Sequence, residues 1–388
     1  MVGDFLKFKN QVKVMSNEIL RAKTKFLFDK FPLTPEQEKN SAQNLWEIEN
    51  HVTKLKSAPR RLVLELTNAC NLNCIMCGRN AADFATTFFK LEWLEKFAPI
   101  MNQIEEVSMF GWGEPTVHPR FVEILSWLDK YPVRKYFCTN GMRLGALTDA
   151  LFQHKVDIIA ISLDGANPAT NNKIRRGSNF DKIVADLKSI VDRKNKLGLQ
   201  RPYMNFVFCA MSSNYRELPD LVRVAAEIGL EEVKVVYFTA FSEDMLPHTL
   251  WTARGGVLSD VEIIFQQAFE LGERLGVKLK LPHLPGEDPA GDKPHKDCFV
   301  GWRDLFLGSD GYVRPCMSTP DKFFRFDDDK TFAEIWNSAE FQKFREIVND
   351  ADKMPQSCRN CYQSSHCNWN KKESFIQVGM NFAPEWDG

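Results

Sequence analysis

From residue 61 to about residue 240 the chain repeats one pattern, a short run rich in β-branched and aromatic residues followed by a longer stretch with helical spacing. The short runs are "RLVLELT", "IEEVSMF", "VRKYFC", "VDIIAIS", "YMNFVFCAM" and "EEVKVVYF"; the helical stretches include "LEWLEKFAPIM", "PRFVEILSWLDK", "FDKIVADLKSIVDRKN" and "YRELPDLVRVAAEIG". A strand followed by a crossover of helical length returns parallel to the first. The alternation therefore restricts the chain to an α/β fold, either a doubly wound sheet or an open barrel.

Ahead of this block, Phe5, Phe8, Val12, Met15, Ile19, Ala22 and Phe26 recur at steps of three and four and predict an amphipathic helix. Thr34, Pro35 and Gln37 then supply the N-cap, first-turn proline and capping-box partner of a second helix, with Leu45, Ile48, Val52 and Leu55 as its expected apolar stripe. The two make a helical hairpin over residues 1–58, expected to pack on the main domain or to pair with a second subunit. Its Lys7, Lys9, Lys13, Lys23 and Lys25 also allow peripheral attachment to a membrane surface. After residue 282, "LPHLPGEDPAGDKPHKDC" marks a boundary. A small module, 283–388, follows, with a hairpin expected around Asp310-Gly311 and a helix near "FAEIWNSAEFQKFREIV".

Lys+Arg 50 against Asp+Glu 51 gives a formal charge of -1, which argues against a nucleic-acid partner. No apolar run approaches the roughly 20 residues that span a bilayer, and the expected location is the cytoplasm. Ten cysteines in a reducing compartment read as metal or redox chemistry rather than as disulfides.

Three of them, Cys70, Cys74 and Cys77, directly follow the first expected strand, at the strand end where parallel α/β folds place active sites. Three thiolates leave one iron of a [4Fe-4S] cluster open to a small molecule, whereas a structural zinc site closes all four positions.

This segment resembles the cluster loop of the radical S-adenosylmethionine superfamily, and the likeness continues over roughly residues 61 to 240. "GWGEP" (Gly111, Gly113, Glu114 and Pro115, with Trp112 where glycine is more usual) resembles the turn that receives the methionyl amino group. Asn140 of "TNG" closes the third strand; Ser162 and Asp164 of "SLDG" close the fourth. Ser162 with Arg175 resembles the pair that holds the ribose and carboxylate side of the cofactor. Val236 of "VVYF" would give backbone contacts to adenine, with Met76 beside the ring. The resemblance implies a partial (β/α)6 TIM-like barrel over 59–282 and a bound S-adenosylmethionine. It further implies a reducing partner such as flavodoxin or ferredoxin, and formation of a 5′-deoxyadenosyl radical that abstracts hydrogen from substrate.

The second group comprises Cys298, Cys316, Cys358, Cys361 and Cys367. "GYVRPC" and "CRNCYQSSHC" resemble the SPASM and Twitch auxiliary-cluster domains. Two fully ligated cubanes need eight thiolates, so one auxiliary [4Fe-4S] cluster is expected. Cys298, Cys316, Cys358 and Cys361 resemble the Twitch set of aminocyclitol-oxidising dehydrogenases, leaving Cys367 a spare, a substitute ligand or a remnant; zinc is the competing metal. Cys138 and Cys209 read as small core residues, with a lumen-facing hydrogen donor as the alternative, because strand parity alone does not fix their face. His118, His283 and His295 read as ordinary polar residues.

The main functional expectation is a radical enzyme oxidising or epimerising a small polar substrate: a sugar, aminocyclitol or nucleotide-linked sugar. A maturase of ribosomally made peptides is the alternative, against which residues 1–60 lack the strands of a peptide-recognition domain. A non-catalytic iron-sulfur or zinc protein is the third reading, disfavoured by the intact strand-end turns. Substrate choice is left open, because loops and lumen set it.

Overall fold

The computed structural model describes residues 32–81, 85–238, 240, 243–250, 259–282, 298–317, 321–326, 330–350 and 352–358. The first expected helix with its lysines, His283, His295, Cys361 and Cys367 lie outside the described residues.

All six expected strands form: β1 Arg61–Leu64, β2 Glu106–Met109, β3 Arg134–Thr139, β4 Ile158–Ser162, β5 Tyr203–Ala210 and β6 Glu232–Tyr237. They lie side by side in chain order, each parallel to the last. The crossovers include α2 Phe121–Leu128, α3 Leu144–Gln153, α4 Phe180–Lys196 and α5 Leu218–Ile228. "LEWLEKFAPIM" is broken into short helical turns, Leu91–Trp93, Leu94–Phe97 and Ala98–Ile100, with Pro99 removing an amide hydrogen from the last of them. Beyond the six strands, α6 Val261–Leu275 leads to a further parallel strand, β7 Lys278–Lys280. This is a partial TIM-like barrel.

The two faces of these strands differ in chemistry. Leu62, Leu64, Val107, Met109, Phe137, Ile159, Ile161, Phe206, Phe208, Val233 and Val235 point outward into one apolar core shared with the helices. The alternate positions point into the lumen, where the strand bottoms carry a belt of paired charges. Arg61 pairs with Asp304, Arg134 with Glu106 at 3.8 Å, and Lys280 with Glu232 at 2.7 Å. Period-two alternation thus sets an apolar outer face against a lumen face of mixed polar and aliphatic character.

The lower end of the barrel is closed by α1, Pro35–Glu49, and here the structure corrects the sequence reading. The capping box of Thr34 and Gln37 forms as expected. The buried face is not apolar, however: it carries Gln37, Asn40, Ser41, Asn44 and Glu47, while Leu45 and Trp46 are exposed. These side chains serve backbone groups that no strand or helix satisfies. Gln37 Nε2 donates to Ile104 O at 2.6 Å and Pro132 O at 2.8 Å, Asn40 Nδ2 to Ala58 O at 3.2 Å, and Asn44 Nδ2 to Trp302 O at 2.8 Å. Glu47 accepts from the Lys56 amide at 2.7 Å.

The sheet also crosses the boundary expected after residue 282. β8, Asp304–Leu307, pairs in parallel with β1, and continues through the expected hairpin into β9, Tyr312–Arg314, and the two-residue β10, Phe324–Arg325. The sheet order is β10-β9-β8-β1-β2-β3-β4-β5-β6-β7. Helices α7 Phe332–Trp336 and α8 Ala339–Ile347 complete this part. Buried Arg345, on α8, donates to Gly301 O at 2.7 Å, Thr53 O at 2.8 Å and Trp336 O at 2.8 Å. No helix among the described residues is long and apolar enough to cross a membrane.

Candidate active site at the strand ends

The loop after β1 is held from two sides. On one side is the turn after β2. Glu65 accepts from the Trp112 amide at 2.7 Å through Oε1, and through Oε2 from the Ser309 amide at 3.2 Å and hydroxyl at 2.9 Å. A Cβ on Gly111 would fall on the Glu65 side chain, and one on Gly113 would run into the carbonyls of Thr67 and Ala69. The Glu114 amide donates to Ala69 O at 2.8 Å. Gly113 is therefore required by the close approach of two backbones, and Gly111 by the Glu65 side chain that braces the turn. On the other side, Asn73–Cys74 pairs antiparallel with Arg175–Arg176, and the Ile75 amide reaches Ile174 O at 2.9 Å.

The three cysteines sit between these anchors, Cys74 buried and Cys70 and Cys77 half-buried. Burial pushes the thiols of Cys70 and Cys74 up, that of Cys74 to about 11, and neighbouring thiols add to the rise. Opposing it, Cys70 Sγ accepts from the Leu72 amide at 3.5 Å and lies 3.8 Å from Asn140 Nδ2, while Arg175 favours the Cys74 thiolate. Among the described residues no three His, Cys, Asp or Glu side chains converge on one point as a single ion would require. A cubane instead takes its thiolates at separate iron corners.

The strand-end motif residues assemble around this loop, though several have partners within the protein. Asn140 bridges β3 to the loop through Asn71 Oδ1 at 2.8 Å. Glu114 is buried, and its carboxylate accepts from Thr116 Oγ1 at 2.6 Å, Thr139 Oγ1 at 2.8 Å and the amides of Thr116 at 3.1 Å and Asn140 at 2.7 Å. Burial raises its pKa and those hydrogen bonds pull against the rise. The side chain thus ties the ends of β2 and β3 together.

Asp164 and Arg175 likewise face each other, Oδ2 to Nε 2.7 Å, with Asp164 Oδ1 also accepting from the Cys209 amide at 2.8 Å. Burial raises the pKa of Asp164 and the guanidinium of Arg175 counters it. Arg175 thus has Asp164 as its partner within the protein. The Ser162 Oγ lies 3.5 Å from Cys138 Sγ.

Cys138 and Cys209 are half-buried on the lumen face of β3 and β5, opposite in parity to the outer core; Cys209 packs there against the small apolar group of Ile174, Met211 and Phe238. Pro115 starts a short helical turn, Pro115–Val117. Met76 packs in an apolar group with Ile174, Met211, Phe238 and Met245, and half-buried Val236 lies one register above Val207 and Lys234. His118 is structural: Nε2–H donates to Phe89 O at 2.9 Å and Nδ1 accepts from the Arg120 amide at 3.2 Å.

In the C-terminal part, Cys358 is buried in the main core and Cys298 packs against it. Asn349 clamps the backbone of Cys298, accepting from its amide at 2.7 Å and donating to its carbonyl at 3.2 Å. Cys316 is half-buried just after β9. Sequence reasoning missed Glu65 and Ser309, and Thr139 of "TNG" turns out to hold Glu114. The available signal for Glu65 was a carboxylate closing the otherwise apolar run of β1.

Residues 64–204 match the family model of the Radical SAM superfamily, and residues 298–362 match SPASM, an iron-sulfur cluster-binding domain. The second match spans Cys298 to Cys361 and stops short of Cys367. The two domains imply S-adenosylmethionine, a [4Fe-4S] cluster and an auxiliary iron-sulfur cluster, and the donor set fits: thiols arrayed at a strand end, with amide and guanidinium groups that favour their anions. The chain is similar to the tungsten-containing aldehyde ferredoxin oxidoreductase cofactor-modifying protein of Pyrococcus furiosus, 24% identical, covering 80% of this chain and 89% of that protein. It is similar to mycofactocin maturase MftC of Mycolicibacterium smegmatis, 25% identical, covering 80% and 76%. It is also similar to the antilisterial bacteriocin subtilosin biosynthesis protein AlbA of Bacillus subtilis, 26% identical, covering 82% and 73%. Among solved structures, Streptococcus suis SuiB bound to precursor peptide SuiA superposes with a TM-score of 0.57 at 17% identity, covering 79% of this chain and 70% of that one.

These relatives correct the expectation of a sugar, aminocyclitol or nucleotide-linked sugar as substrate and small-molecule partner, because a maturase and a bacteriocin biosynthesis protein match across the barrel and beyond. The physical reason is that the strand-end motifs position a cofactor and carry no information about what lies deeper in the lumen.

Proposed function

We propose, from the premise that the chain belongs to the radical S-adenosylmethionine superfamily and carries a SPASM domain, that it is an enzyme of peptide maturation. The observation that carries the peptide assignment is the likeness to MftC and AlbA over 80% and 82% of the chain. When bound, the cluster and S-adenosylmethionine supply one-electron cleavage of the sulfonium and hydrogen abstraction from substrate.

The chain's own residues hold and orient these groups. Cys70, Cys74 and Cys77 ligate the cluster, and the Leu72 amide and Asn140 favour the Cys70 thiolate. The turn from Gly111 to Pro115 presents backbone to the methionyl group, with Glu114 fixing its shape from below. Met76 and Phe238 give adenine an apolar wall beside Val236, and Ser162 offers a hydroxyl at the lumen mouth. Asp164 orients Arg175 toward Cys74. Cys298, Cys316, Cys358 and Cys361 hold the auxiliary cluster, and a flavodoxin or ferredoxin serves as reductant.

The test is incubation of the reduced, reconstituted protein with S-adenosylmethionine and small peptides encoded beside its gene. Peptide-dependent 5′-deoxyadenosine with a matching change in peptide mass is expected. Turnover with sugars alone would overturn the peptide assignment, and no cleavage under any condition would overturn the radical one.

A further inference from the structure

Among the described residues, Lys234 is a lumen cation that the fold leaves unmatched. Lys234 lies in the middle of β6, on the register row that runs from Ser162 through Val207 and Lys234 to Lys280. Its neighbours along the strand, Val233 and Val235, point into the outer core, which sets the Lys234 side chain inward. Other lumen cations have acids: Arg61 has Asp304, Arg134 has Glu106 and Lys280 has Glu232. Among the described residues no carboxylate lies within ion-pair distance of the Lys234 ammonium. Glu232, two residues back on the same face, is held by Lys280 at 2.7 Å and by the Tyr203 hydroxyl at 3.1 Å.

Burial pushes the Lys234 pKa down; Glu232 and Cys138 act to raise it, and Lys280 and Arg61 to lower it further. A half-buried ammonium without a counter-ion is unfavourable, and the fold has no need of one there. Val207 beside it and Val236 above it show that the lumen accepts aliphatic side chains at these levels.

We infer that Lys234 anchors a carboxylate of the substrate inside the barrel. On the peptide reading, from which this inference starts, that group is an Asp or Glu side chain or a chain terminus. Lys234 sits two residues, about 7 Å, below the level of Cys209 and Val236. A carboxylate held there places the following atoms of the substrate between the ammonium and the rim where Cys74 and Arg175 lie. The one other source of this chemistry is the carboxylate of S-adenosylmethionine, and the experiment separates the two.

The anaerobically reconstituted full chain is reductively methylated, and modification of Lys234 is followed by mass spectrometry. The probes are acetyl-Gly-Glu-Gly-amide, acetyl-Gly-Gln-Gly-amide, glutarate and S-adenosylmethionine alone. The Glu probe is expected to slow modification by about fivefold or more relative to its Gln twin. In Lys234→Gln, binding of the Glu probe by saturation-transfer NMR should fall about tenfold, to the level of the Gln probe, while Lys234→Arg retains the preference and S-adenosylmethionine affinity stays within about twofold. Equal protection by the Glu and Gln probes would overturn the anchor. So would full protection by S-adenosylmethionine alone together with loss of its affinity in Lys234→Gln, which would assign the lysine to the cofactor. Protection by glutarate without protection by either peptide would uphold the anchor and remove the peptide reading.

Discussion

At the N-terminal ends of the strands, polar side chains close on one another and on stray backbone groups: the amides of α1 reach the carbonyls of Ile104, Pro132, Ala58 and Trp302, and Arg60 meets Glu105 at 2.6 Å. At the C-terminal ends they gather instead around three thiols, of which those of Cys70 and Cys74 are pushed up by burial and by their neighbours. The contrast teaches that polarity by itself marks neither end as functional. A buried polar group whose partners all lie within the protein is a fastening, and a group of like-charged ligands is a site waiting for a counter-charge.

Emptying the upper end should have the largest effect. Replacing Cys70, Cys74 and Cys77 together with Ala should abolish 5′-deoxyadenosine formation and lower iron from on the order of eight to about four per chain. The unfolding midpoint of the apoprotein should barely move. A collapse of stability would show that this end, too, is a fastening.

Loosening the lower end should do the reverse. Gln37→Ala with Asn44→Ala leaves buried carbonyls without donors, at about 1–3 kcal/mol for each site in denaturant unfolding, while S-adenosylmethionine affinity stays the same. A loss of affinity as large as the loss of stability would erase the distinction between the ends.

Glu114 belongs to the upper end by position and to the lower end by behaviour, so it sharpens the comparison most. Glu114→Gln keeps the shape but turns acceptors toward donors, costing about 1–3 kcal/mol of stability. Its effect on cofactor affinity should be no larger than that loosening of the turn. An affinity loss with unchanged stability would return the carboxylate to direct cofactor contact.

The smallest effect is one of pH. Burial holds the His118 imidazole below its ordinary 6.5, so the folded state favours the neutral ring. Its contribution is full above that value and is lost as pH falls through it toward the lower folded pKa. His118→Gln should flatten the acid limb of the stability curve, read by urea unfolding between about pH 7 and 5.

Much of the site was legible because its motifs are local. The cysteine spacing, "GWGEP", "TNG" and "SLDG" each follow a strand whose β-branched composition announces it, and parallel strands bring their ends together. What the sequence concealed was partner choice. Asp164 and Arg175 both carried the motif, but nothing in their spacing says that they face each other. The buried face of α1 was incompletely read for a related reason: Ile48, Val52 and Leu55 of the expected stripe do meet the core, but most of the face covers loop ends whose carbonyls need donors, so Gln, Asn and Ser are the residues that fit, and Leu45 is left exposed. Cys138, Cys209 and Lys234 became readable only once register fixed which parity faces the lumen.

The seating of β1 between β2 and β8 has a consequence in time. The ribosome delivers β2 soon after β1, but the Asp304 that pairs with Arg61 comes 243 residues later, and the Ser309 that holds Glu65 comes 244 later. Throughout that interval β1 is an open edge, and Glu65, which braces the loop bearing three thiols, lacks its Ser309 partner. Loop closure over such a separation is slow, and an unpaired strand edge invites pairing with other chains. The thiol loop therefore takes its final shape among the last parts of the molecule, when the C-terminal segment docks, which favours metal loading at the end of folding rather than along the way.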